Sequence, residues 1–166
     1  IEWGFTSILV SDVDQDCQPE IVIGTSGGVV TCLSGKGDLA WTYTGPQGGT
    51  LCPAVGDVDG DGQNEIVVGG TKTPLVCLSH SGQEKWRYEN AERGSSPVLC
   101  DLNGDKKAEI VAGVGNKVVA LDGKGRVLWQ VAMKGQVDAG LAVGDADGDG
   151  QIEIYAADLA GSLACI

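Results

Sequence analysis

The stretch DVDGDGQNE, from Asp57 to Glu65, sets carboxylates at its positions 1, 3, 5 and 9 and glycines at positions 4 and 6. On a tightly curled loop alternate side chains can point at one centre. Several hard oxygen ligands gathered there suit Ca²⁺ better than Zn²⁺ or Mg²⁺. Gly62 permits the sharp turn, and Gln63 at position 7 would offer its backbone carbonyl. An EF-hand would need Glu at position 12, where Val68 stands inside an apolar run. The pattern therefore reads as a short calcium loop between two strands.

Three more stretches repeat the pattern in register. The first loop offers Asp12, Asp14, Asp16, Gln18 and Glu20, and the second Asp57, Asp59, Asp61, Gln63 and Glu65. The third offers Asp101, Asn103, Asp105, Lys107 and Glu109, and the fourth Asp145, Asp147, Asp149, Gln151 and Glu153. One such loop could be an ordinary Asp- and Gly-rich turn. Four in register, each ending in Glu, point to metal binding, with up to four Ca²⁺ expected, one per loop. Without ions, 15 of the 23 acidic residues would crowd into these loops and repel. Four Ca²⁺ would move the formal net charge from −12 to −4. The second and fourth loops, with glycine at positions 4 and 6, are expected to bind tightest. The first carries Gln15 and Cys17 there and makes its turn less easily. The third has Asn103 in place of an Asp and Lys106 and Lys107 beside the site, and is expected to bind most weakly.

The elements that position these loops follow from their spacing. The opening residues Asp12, Asp57, Asp101 and Asp145 are 45, 44 and 44 residues apart. Each loop closes on a Glu-Ile pair that starts an apolar run. Then come VVTCLSGKG, PLVCLSHSG, KVVALDGKG and SLACI, and then Trp41, Trp86 and Trp129. Each unit reads as four short strands joined by Gly-rich turns. In the second unit they are about 53–56, 65–69, 74–78 and 84–88. Four strands per unit of about 44 residues is the signature of propeller blades. The expected fold is all-β, one β-propeller domain over 1–166, with units 7–45, 51–90, 95–133 and 139–166 plus 1–5. Trp3 falls in phase with Trp41, so Glu2 to Phe5 could supply the outer strand of the last blade and close a ring of four. The same arithmetic fits a piece of a longer array, or a terminal strand that pairs with a neighbouring chain and causes self-association.

Composition bounds the partners. A net charge of −12 and a pI near 4.2 disfavour nucleic acid and anionic membranes. No apolar run is long enough for membrane insertion. The chain opens at Ile1 with no visible leader, and reads as a mature or trimmed piece. No nucleophile elbow, HExxH motif or P-loop occurs, and His80 is the single histidine, so no enzyme is expected. Cys32, Cys77 and Cys165 share one repeat position with Ala120, which reads as a small core site. The absence of C-x-x-C makes zinc improbable. The tryptophans read as blade-to-blade packing, or alternatively as a platform for sugar rings.

These units resemble the FG-GAP/VCBS repeats of integrin-α-type β-propellers. The resemblance rests on the D-x-D-x-D-G-x-x-[DE] loop, as in DVDGDGQNE and DADGDGQIE, and covers essentially the whole chain in four copies. KVVALDGKGRVLWQ is also similar to PQQ-like propeller blades, without implying the cofactor. Such families commonly close with about seven or eight blades, against four units here. The resemblance implies extracellular or cell-surface display and roles in adhesion, glycan binding or scaffolding. The expected function is a non-catalytic, calcium-stabilised module that binds a protein or glycan ligand at a surface, or assembles. A lectin-like glycan-binding propeller and a fragment of a calcium-dependent polysaccharide lyase are the alternatives.

Overall fold

The computed structural model describes residues 4–45, 49, 51–71, 73–88, 94–138 and 140–166. The β-branched runs that follow each acidic loop form strands, and the Gly-rich stretches between them turn the chain back, so every pairing is antiparallel. The first sheet holds β1 (Phe5–Ser11), β2 (Glu20–Thr25), β3 (Val29–Leu33) and β4 (Leu39–Thr44). The second holds β5 (Cys52–Gly56), β6 (Glu65–Gly70), β7 (Thr73–Leu78) and β8 (Glu84–Tyr88). The third holds β9 (Val98–Cys100), β10 (Glu109–Val114), β11 (Lys117–Leu121) and β12 (Val127–Ala132). The fourth holds β13 (Leu141–Gly144), β14 (Glu153–Ala157) and β15 (Leu163–Cys165). In each sheet the strands lie in chain order, and the described residues contain no helix.

Successive sheets pack face to face through three apolar layers. Val22, Val30 and Cys32 of the first sheet meet Ile66, Val68, Val76 and Leu78 of the second. Val67, Leu75 and Cys77 then meet Ile110, Ala112, Val119 and Leu121. Val111, Val118 and Ala120 meet Ile154 and Ala156. The second strands record this stacking. β6 and β10 are buried at every residue because each has a neighbour on both faces, whereas β14 alternates buried with half-buried. Sheets approach closely at the turns: a Cβ on Gly123 would lie 1.9 Å from the Val58 carbonyl oxygen.

Among the described residues the four sheets form a succession that does not close into a ring, and its two outer faces are open. Ile8 and Val10 of β1 are 63% and 61% exposed, and Ile21, Ile23 and Leu33 behind them are half-buried. Their repeat partners Ile66, Val68 and Leu78 are at 0%. At the other end Leu163 is 74% exposed and Cys165 is exposed, where Leu75 and Cys77 are fully covered. The expected closure through Glu2 to Phe5 is corrected in part. The Gly4 carbonyl accepts the Ser26 N–H at 3.0 Å, and Phe5 pairs with Thr25, so both belong to the first sheet rather than the fourth. Glu2 and Trp3 lie outside the described residues. Among the described residues, no helix is long and apolar enough to cross a membrane.

Candidate metal centre

Each acidic loop joins the first and second strands of its sheet, and one hydrogen-bond scheme shapes all four. The position 1 carboxylate accepts backbone N–H groups from across the loop. Asp57 takes Gly60 at 2.6 Å and Gly62 at 3.0 Å, and Asp145 takes Gly148 at 2.6 Å and Gly150 at 2.9 Å. Asp101 takes Gly104 and Lys106, and Asp12 takes Asp16 and Cys17. Position 3 accepts from the N–H of position 5: Asp14, Asp59, Asn103 and Asp147 all do so. Position 5 accepts from position 7, so Asp16, Asp61, Asp105 and Asp149 hold the N–H groups of Gln18, Gln63, Lys107 and Gln151. The Gln18 and Gln151 amides also reach back to Asp16 and Asp149. Finally the Oε2 of the closing Glu accepts the N–H of position 2: Val13 to Glu20, Val58 to Glu65, Leu102 to Glu109 and Ala146 to Glu153.

This scheme requires left-handed backbone at positions 4 and 6 of every loop. Glycine supplies it at Gly60, Gly62, Gly104, Gly148 and Gly150. Gln15 (φ 62°), Cys17 (φ 68°) and Lys106 (φ 70°) adopt it against their Cβ preference. The first loop thus makes the same turn as the others despite its side chains. Neighbouring loops are strapped together at position 8: the Asn64 amide donates to the Asp12 carbonyl at 2.9 Å and the Ala108 N–H to the Asp57 carbonyl at 3.1 Å.

With the turn made, the remaining carboxylate oxygens converge to different degrees. In the fourth loop Asp145, Asp147, Asp149 and Glu153 all bring an oxygen within 4.8 Å of one another. In the first loop Asp12, Asp14 and Glu20 do so, and in the second Asp57, Asp59 and Asp61. In the third, Asn103 Nδ2 donates to Glu109 Oε1 at 2.9 Å, which ties that closing carboxylate to a neutral partner. Hard oxygens without nitrogen or sulfur are the donor set of Ca²⁺, and the fourth loop fits it best.

The second loop departs from the sequence expectation. Lys85, on the outermost strand of the same sheet, places Nζ 2.6 Å from Asp59 Oδ2 and 2.9 Å from Glu65 Oε1. Its hydrogen bond holds the Asp59 carboxyl below its ordinary range. Glu65 shares the same ammonium yet shifts upward, because it is 1% exposed and burial outweighs the lysine. Burial works against the Lys85 charge, but its two carboxylate partners prevail and raise it. Lys85 was legible only in retrospect: the residue before the repeated tryptophan is Ala40 in the first unit and Leu128 in the third. Lys107, named as a position 7 ligand, lays its side-chain stem over Gly60 of the second loop.

The expected core roles divide along the same lines. Cys32 and Cys77 are buried, and burial pushes their thiols up to about 11 and about 12. All six cysteines are free. Trp41 Nε1 donates to the His80 carbonyl at 2.9 Å, and Trp86 Nε1 to the Gly123 carbonyl at 2.8 Å. Each indole therefore bolts one sheet to a turn of the next.

Comparison with known proteins agrees with this geometry. The FG-GAP-like repeat family matches residues 12–68, from the first acidic loop to the strand after the second. The stretch that spans the first two acidic loops is thus similar to FG-GAP-like repeats. Solved structures that align with nearly all of the chain share its propeller architecture. BamB from Moraxella catarrhalis aligns with 98% of it at 20% identity and a TM-score of 0.69, over 46% of BamB's own length. BBS1N, solved in complex with ARL6DN and soaked with mercury, aligns with 96% at 12% identity and a TM-score of 0.72, over 53% of its length. The PilY1 C-terminal domain of Pseudomonas aeruginosa aligns with 91% at 18% identity and a TM-score of 0.67, over 38%. The chain thus spans about half the length of the solved structures it matches. No curated protein sequence matches it.

Proposed function

We propose that this chain is a non-catalytic, calcium-stabilised propeller module that works outside the cell by docking through its sheet faces. The observation that carries the reading is the fourth loop, where four carboxylates converge on one point with their backbone contacts already satisfied. Asp145, Asp147, Asp149 and Glu153 would hold the ion, with Asp12, Asp14 and Glu20 as the next set. Bound Ca²⁺ supplies positive charge that cancels the repulsion and ties the first strand of a blade to the second. Extracellular modules bind Ca²⁺ with Kd on the order of 10⁻⁴ M, which suits the millimolar ion found outside cells. At about 1 mM, one such site contributes about 1.4 kcal/mol.

Docking is favoured over sugar binding by the apolar end faces and by the tryptophans. Ile8, Val10, Ile21, Ile23 and Leu33 occupy positions that in the second and third sheets meet another sheet. Trp41 and Trp86 are spent on sheet-to-sheet bonds. The groove beside the third loop, about 290 Å³ and bordered by Asn103, Asp105, Lys107 and Arg126, has no aromatic lining for a sugar ring.

Light scattering in calcium, for the wild type, Ile23→Asp and Leu163→Asp, tests the docking half of the reading. A wild-type mass above 17.0 kDa that either substitution lowers supports docking through the end faces. A monomer of that mass, unchanged by both substitutions and with glycans bound on an array, overturns it in favour of the lectin-like reading.

A further inference from the structure

We infer that the second acidic loop is held by the Lys85 ammonium in place of a metal ion, so that one of the two loops whose sequences fully match a calcium site carries none. The inference rests on the calcium reading of the other loops. The geometry is specific. Nζ of Lys85 bridges Asp59 Oδ2 at 2.6 Å and Glu65 Oε1 at 2.9 Å. Those oxygens belong to positions 3 and 9, two of the four carboxylates that a Ca²⁺ in this loop would need. An ammonium donates the hydrogen bonds that carboxylates accept, and it supplies the charge that crowded carboxylates lack.

The lysine reaches the loop because of the backbone. Leu78 pairs with Glu84 and Cys77 with Trp86, so Lys85 is the extra residue of a β-bulge. A bulge re-aims its side chain, and here it aims toward the loop side of the sheet. The same bulge recurs in the first and third sheets, where Leu33 pairs with Leu39 and Leu121 with Val127. There the bulged residues are Ala40 and Leu128, which cannot fill an anionic loop. Lys107, whose stem lies over Gly60, adds a second positive charge that lowers Asp59 further. The second loop is therefore the one loop among the described residues whose carboxylates already have a lysine counter-ion from their own sheet. Its blade stays clamped whether or not calcium is present.

The test is a calorimetric titration of calcium into chelator-treated protein, reading ions per chain. Lys85→Met is expected to bind one more ion than the wild type, with affinity at this loop raised at least about 100-fold by loss of the opposing charge. Lys85→Met with Asp59→Asn is expected to return the count to the wild-type value. Asp59→Asn alone, which keeps the lysine, is expected to leave the wild-type count unchanged. A count that falls by one in Asp59→Asn, or fails to rise in a folded Lys85→Met, overturns the inference. If the wild type binds no calcium at all, the calcium reading of the other loops fails. A count of one in Lys85→Met would then still support the role given to Lys85.

Discussion

Replacing Trp86 by Phe isolates one of the bonds that hold neighbouring blades together. The indole Nε1 donates to the Gly123 carbonyl at 2.8 Å, and the six-membered ring lies against Gly125, where a Cβ would come within 2.8 Å of it. Phe deletes the N–H and leaves the carbonyl without that donor. It also removes ring atoms from a half-buried contact. The lost hydrogen bond is worth about 1 kcal/mol, and the lost packing about 1 kcal/mol more. Trp129 occupies the same repeat position and packs against the third apolar layer, but it has no equivalent turn carbonyl among the described residues. Trp129→Phe is therefore expected to cost only the packing share. Urea unfolding followed by far-ultraviolet circular dichroism, which does not depend on tryptophan emission, should separate the two variants by about 1 kcal/mol. Equal losses would show that the indole N–H bond adds nothing, and would remove the account of the repeated tryptophan as a bolt between blades.

Other outcomes follow from the same geometry. Cys17→Gly relieves a left-handed residue at φ 68°, and is expected to stabilise the chain by about 1 kcal/mol in chemical denaturation. In native protein at pH 8, iodoacetamide should label the exposed Cys17 of the first acidic loop quickly. Mass spectrometry should find Cys32 and Cys77, whose thiols burial pushes up to about 11 and about 12, labelled only after unfolding. Asp122 is held below its ordinary value of 3.8, because its hydrogen bonds with Arg126 and the turn N–H groups outweigh burial. A lowered carboxylate contributes stability above its unfolded pKa and loses it as pH falls through the lower folded value. The stability gap between the wild type and Asp122→Asn should therefore be full at neutral pH and shrink below about pH 4 in acid unfolding.

Much of this was legible in the sequence because repetition gives each residue several independent witnesses. The 44-residue period fixed the phase of every strand, and the Asp-x-Asp-x-Asp pattern located the loops. The roles of the carboxylates as backbone acceptors were less visible. Asp12 accepts two N–H groups that bend Gln15 and Cys17 into left-handed backbone, a case of several hydrogen bonds overruling local preference. Lys85 stayed hidden because its importance depends on a bulge, and bulges follow from strand register rather than from residue type. The placing of Phe5 failed for a related reason. Phase with Trp41 says where a segment would sit in a repeat, but not which sheet claims it, and pairing with Thr25 claimed it for the first. The uneven burial of Cys32, Cys77 and Cys165 likewise follows from which sheet has a neighbour.

The most direct test of the central claim is the thermal unfolding midpoint in 1 mM calcium and in chelator, for the wild type and for Asp147→Asn with Asp149→Asn. Those substitutions keep the side-chain oxygens that accept the N–H groups of Asp149 and Gln151 while removing two ligand charges. The account expects calcium to raise the wild-type midpoint by about 3–6 °C per occupied site. It expects the double variant to lose one site's share in calcium, and to melt no lower than the wild type in chelator. A wild-type midpoint that is the same with calcium and with chelator would contradict it.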